Sequence, residues 1–221
     1  MPNNVKAGYV LLSLPNSGST FVADMIAKHV PLKYYQMEYF NPARNAKRFQ
    51  ELRRGFGCEL VSCYRWIGES PGDDVLDNIV SKTLAVDGFD FTKEVFSPLK
   101  VQWFASRFHA AILVSDDRYV FPPRRRSILS MYEHAYRAVF PGSVPDVLEF
   151  DARRCYEFLR GRMIEDALRL QVPILHYPEI VEADADTIAA SLSGLGWPIT
   201  DPLTAARAIV SARKSPEGRY R

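Results

Sequence analysis

The sequence predicts an α/β fold: a three-layer, mostly parallel sheet flanked by helices, built as one domain over residues 1–221. Three observations predict it. Continuous apolar runs recur at residues 9–14 (YVLLSL), 110–115 (AAILVS) and 172–177 (VPILHY), as expected of strands buried on both faces. Segments with helical spacing separate these runs, so strands alternate with helices along the chain. The first run breaks into Pro15, Asn16, Ser17, Gly18, Ser19 and Thr20 before helical spacing resumes, the pattern of a strand, an anion-binding turn and a helix start. With 47% hydrophobic residues, 221 residues can bury a substantial core without a second domain.

After the first strand, Phe21, Val22, Met25 and Ile26 predict a helix that buries one face and ends near His29, before Pro31. Residues 32–40 (LKYYQMEYF) read as a short strand and its exit. Asn41 and Pro42 then fit a cap and first turn for a polar helix over 43–54, stopped by Gly55 and Gly57. Weak periodicity over 68–88 leaves two readings open, an excursion over a site or a surface loop with one short helix. Residues 91–95 read as a strand and 98–108 as a helix with Val101, Phe104 and Ala105 inward. RYVF, 118–121, is expected to be extended. Ile128, Leu129, Tyr132 and Ala135 predict a helix packed on the sheet. Residues 151–170 follow as a long amphipathic helix, and 185–195 as the last helix, before GWP.

A formal charge of +2 is too mild to point to nucleic acid as a partner. Cys58, Cys63 and Cys155 are odd in number and lack metal-ligand spacing, which predicts reduced structural thiols, no bound metal and a reducing, cytoplasmic setting. No stretch approaches the roughly 20 apolar residues of a membrane span.

Phosphate is the natural ligand for the turn at 15–20, a Ser/Gly-rich turn that caps a helix and binds nothing being the other reading. Ser17, Ser19 and Thr20 add hydroxyl donors to backbone N–H groups, and Gly18 lets the chain approach an anion closely. The turn has no Lys before its Ser and Thr, so it is not an ordinary nucleotide-kinase P-loop. A second candidate anion-binding feature is Arg124, Arg125 and Arg126 at the mouth of a helix carrying Ser127 and Ser130, since clustered guanidiniums bind phosphate with paired hydrogen bonds; a solvated basic corner is the other reading. Two anion sites suggest one ligand with phosphates at both ends.

LPNSGST at 14–20, FPPRRRSILSMYEH at 121–134 and HYPEIV at 176–181 stand in a family order. The chain resembles the sulfotransferases that use 3′-phosphoadenosine 5′-phosphosulfate (PAPS), whose 5′-phosphosulfate loop, 3′-phosphate segment and late Tyr-Glu-x-Leu/Ile-Val segment these look like, the last interrupted here by Pro178. The resemblance implies a P-loop NTPase-like sulfotransferase architecture. It implies PAPS as donor, bound by Pro15, Asn16, Ser17, Gly18, Ser19, Thr20, Arg124, Arg125 and Ser130, with no metal, and a small-molecule or carbohydrate acceptor. It makes Glu38, in QMEYFNP, the catalytic base for the acceptor hydroxyl. It also puts Asn16 in the catalytic position where the family carries a Lys or Arg against the transferring group, so the charge stabilisation there is weaker or comes from elsewhere. Pro122 falls where a 3′-phosphate Arg is expected. Arg213 and Lys214, in RKSPEGRYR, loosely resemble the basic loop over the 3′-phosphate, with a basic tail as the other reading. Lys93 and Glu94 are read as supporting the site, His29 and His109 as structural. Two other functions stay open. One is an impaired relative that binds only nucleotide or protein; the other is a magnesium-dependent phosphotransferase using Asp116 and Asp117.

Overall fold

A computed structural model describes residues 8–31, 34–41, 66–83, 90–95, 97–121, 126–142 and 149–213. Five strands form one parallel sheet in the order β2-β3-β1-β4-β5: β1 Tyr9–Ser13, β2 Tyr35–Met37, β3 Phe91–Glu94, β4 His109–Val114 and β5 Ile174–His176. Helices among the described residues include α1 Ser19–Ala27, α2 Asp73–Thr83, α3 Val101–Arg107, α4 Asp117–Val120, α5 Arg126–Val139, α6 Glu149–Leu170, α7 Tyr177–Glu182, α8 Ala185–Ser193 and α9 Pro202–Arg213.

Strand alternation divides the core in two. Val10, Leu12, Ile112 and Val114 pack on one face with Leu76, Phe104, Tyr132, Tyr156 and Leu159 from α2, α3, α5 and α6. Leu11, Ala111, Leu113 and Leu175 pack on the other with Val22, Ile26, Ile180, Ile188 and Ile209 from α1, α7, α8 and α9. This is the three-layer α/β arrangement expected from the sequence, with the central strands buried on both faces.

Chain order reverses at β1, which lies between β3 and β4. Ligands of open parallel sheets bind in the crevice beyond the carboxyl ends of strands at such a switch point. The turn after β1 opens there.

Three expectations need correction. RYVF is not extended: its first three residues belong to α4, with the Tyr119 and Val120 N–H groups bonded to Asp116 O. The strand expected over VPILHY, 172–177, is shorter: β5 ends at His176 and Tyr177 already opens α7, whose first turn holds Pro178, a position where a missing N–H costs no helical bond. The helix at 185–193 is not the last. Asp201 accepts the Leu203 and Thr204 N–H groups and starts α9. The helix expected over 43–54 lies outside the described residues, as do Cys58 and Cys63. The segment after residue 68 contains α2, and its remainder at 84–89 is likewise outside.

Candidate functional site

The turn from β1 to α1 is held from below and left open at its amides. Asn16 and Gly18 both adopt left-handed backbone conformations, at φ 62 and φ 80, which Asn tolerates and Gly adopts without strain. Val22 N–H makes the first helical bond, to Gly18 O. The backbone N–H groups of Gly18, Ser19 and Thr20 have no hydrogen-bond partner among the described residues. Ser17 Oγ and, at the end of β1, Ser13 Oγ are buried without a partner among the described residues, as is Ser115 Oγ just past β4. Unpaired donors at a helix N-terminus, beside buried hydroxyls, are the makings of an anion site.

Two tyrosines fix the carbonyls of this rim. Tyr132 of α5 donates to Pro15 O at 2.9 Å, and Tyr156 of α6 donates to Ser115 O at 2.6 Å. Their rings meet edge to face, 5.7 Å apart. Burial raises both phenols well above their ordinary range, so they remain donors. Asn16 does not face the turn's open side with its amide: Nδ2 donates to Val120 O at 2.6 Å and ties the turn to α4.

Tyr177 packs over the turn. A Cβ added at Gly18 would lie 2.1 Å from Tyr177 Cε2. Gly18→Ala is therefore expected to displace that ring and to lose at least about 1–2 kcal/mol through the left-handed backbone alone. Urea unfolding measures this, and a midpoint equal to wild type would contradict it.

The second half of the site comes from β3 and the turn after β2. Thr92, Lys93 and Glu94 are buried polar residues in a strand that neighbours β1. Register places Thr92 beside Val10 and Glu94 beside Leu12, on one face, with Lys93 beside Leu11 on the other, the face covered by α1. Lys93 Nζ accordingly reaches Thr20 Oγ1 at 3.3 Å and Glu38 Oε1 at 2.7 Å. Glu38 has φ 54, and its second oxygen, Oε2, accepts from Asn41 Nδ2 at 2.8 Å. An ammonium thus bridges α1 and a carboxylate that comes from a different strand exit.

The structure unites Pro15, Asn16, Ser17, Gly18, Ser19 and Thr20 in the turn, with Lys93 linking Thr20 to Glu38. Ser130 is exposed on α5. Arg213 ends α9, where its Nη2 donates to Ala183 O. Arg124, Arg125 and Lys214 lie outside the described residues. Asp116 and Asp117 are engaged by arginines, with Arg153 Nη1 2.6 Å from Asp117 and Arg118 Nε 3.6 Å from Asp116. His109 stacks on Tyr9, 5.1 Å between ring centroids. Cys155 is buried, its thiol pushed up to about 12 by desolvation. What sequence reasoning underrated was Lys93, and its signal was the polar run TKE inside a strand whose neighbours are apolar.

No protein-family model, curated protein or solved structure matches the chain.

Proposed function

We propose that this protein is a sulfotransferase, moving a sulfuryl group from PAPS to a hydroxyl of a small-molecule or carbohydrate acceptor. The observation that carries the reading is Lys93 Nζ between Thr20 and Glu38. The resemblance calls for a cation at position 16 and a carboxylate base at 38. Asn16 leaves the cation out of the turn, and β3 brings one to the turn's helix from the side.

The donor contributes a sulfuryl group joined to a phosphate oxygen, a good leaving group. The open N–H groups of Gly18, Ser19 and Thr20, with Ser17 Oγ, bind its anionic end. Glu38 takes the proton of the acceptor hydroxyl as that oxygen bonds to sulfur and the bond from sulfur to the phosphate oxygen breaks. Lys93 offsets the negative charge gathering on the departing oxygen. The adenosine 3′-phosphate falls to Arg124, Arg125 and Ser130 by resemblance.

The test is calorimetric titration with 3′-phosphoadenosine 5′-phosphate, using adenosine 5′-phosphate and ATP as controls, on wild type and Lys93→Met. Micromolar binding that needs the 3′-phosphate is expected. The variant should bind about 10- to 100-fold more weakly, the worth of a charge-assisted hydrogen bond. Absence of binding up to millimolar ligand would overturn the reading.

A further inference from the structure

Glu94 takes no part in the proposed transfer, yet it is fully buried on the apolar face of β3. Its Oε1 accepts from the Phe40 backbone N–H at 3.0 Å and from Thr92 Oγ1 at 2.9 Å. Oε2 is buried with no partner among the described residues. A carboxyl desolvated on these terms is costly to keep in a core.

Its contacts converge on the turn that presents Glu38. Three consecutive amides of that turn are held by three consecutive residues of β3. Glu38 N–H bonds to Lys93 O at 2.8 Å, Tyr39 N–H to Thr92 Oγ1 at 3.2 Å, and Phe40 N–H to Glu94 Oε1. The Phe40 ring is anchored as well, edge-on to Trp103 and Phe104. Glu38 opens the turn in a left-handed conformation, which a residue with a side chain holds only where its surroundings over-determine it.

We propose that Glu94 is the positioning residue for Glu38, its Oε1 locking the turn from the apolar face while Lys93 holds the Glu38 carboxylate from the opposite face. Only the catalytic consequence rests on the sulfotransferase reading. Burial pushes the Glu94 carboxyl up to about 8, opposed by its hydrogen bonds and reinforced by Glu38, with Lys93 pulling the other way. At neutral pH it is therefore protonated, and Gln reproduces the accepting oxygen where Val does not.

The experiment reads backbone amide exchange of Phe40 by NMR, without donor, and PAPS turnover in the same preparations of wild type, Glu94→Val and Glu94→Gln. Glu94→Val should speed Phe40 exchange at least about tenfold through local opening. It should lower kcat at least about tenfold with the KM for donor unchanged, the sign of a misplaced base rather than lost binding. Glu94→Gln should restore both. Thr92→Val is the second variant should Glu94→Val fail to fold; it should speed Tyr39 exchange and lower kcat in the same way. Unchanged Phe40 exchange in Glu94→Val, or Glu94→Gln behaving like Glu94→Val, overturns the proposal. Wild type that shows no transfer while Phe40 responds as described defeats the sulfotransferase reading and supports the placement of Glu38 by Glu94.

Discussion

Lys93→Met should destabilise the protein by about 3–5 kcal/mol near pH 7, because it strands the Glu38 carboxylate in a buried site without its cation. The side chains of Lys93 and Glu38 are only 3% and 9% exposed, so water cannot replace the lost partner as it would at a surface pair. Glu38→Gln leaves Lys93 as the unpaired charge, with Thr20 Oγ1 as its remaining contact, and should cost a similar amount. The double variant removes both charges and should recover much of the loss, since a neutral pair of similar volume pays no desolvation. Urea unfolding of the four proteins yields the coupling energy directly. Single variants within about 1 kcal/mol of wild type, or additive effects in the double, would mean that the two groups are solvated in solution. Under the proposed chemistry Lys93→Met also lowers kcat by about 10²–10³, the cost of removing one transition-state donor.

What the sequence made legible follows from locality. β1, the turn and α1 are contiguous, and each announces itself: an apolar run, a Gly at the left-handed position, and helical spacing behind it. β4 and β5 are read from apolar runs, and α5 and α6 from spacing, because these patterns need only one window. Four-residue α4 has too few positions for a period, and its residues alone also suit an extended segment. Pro178 sits in the first turn of α7, where a missing N–H is compatible with the helix. The start of α9 was legible from Asp201 and Pro202 and passed over, a lesson in reading caps before apolar spacing. The centre of the site is of another kind. Glu38 and Lys93 are brought together by parallel pairing of β2 with β3, in which Met37 stands beside Lys93 and Glu38 N–H extends the ladder by one bond. No local pattern encodes that register. The trace available was a contradiction: a strand buried on both faces that carries Thr, Lys and Glu in succession. Local rules broken inside a core mark sites whose cost is met by function.

Wild-type stability should fall as pH rises from about 5 to about 8, and Glu94→Gln should remove most of that slope. The Glu94 carboxyl sits near 8 in the folded protein against an ordinary value of 4.5. Between those values the folded chain keeps a proton that the unfolded chain has released. Deprotonation is thus favoured by unfolding, and stability drains away at up to about 1.4 kcal/mol per pH unit from this one group. The contribution is whole below about pH 4.5 and exhausted above about pH 8, reaching about 3–5 kcal/mol across the window. Gln has no such proton, so the variant should gain on wild type steadily with pH. At pH 5 the two should lie within about 1 kcal/mol, and at pH 8 the variant should be ahead by about 3 kcal/mol. Urea midpoints in half-unit steps measure this, and parallel profiles would show that Glu94 is solvated or ionised in the folded state. The neighbours sharpen the test. Glu38 raises the Glu94 value and Lys93 lowers it, so Lys93→Met should push the end of the window to higher pH while Glu38→Gln draws it lower. A neutral Glu94 leaves Glu38 as the carboxylate paired with Lys93. The stability profile therefore reports the protonation state of Glu94 itself, by a measurement in which no substrate takes part.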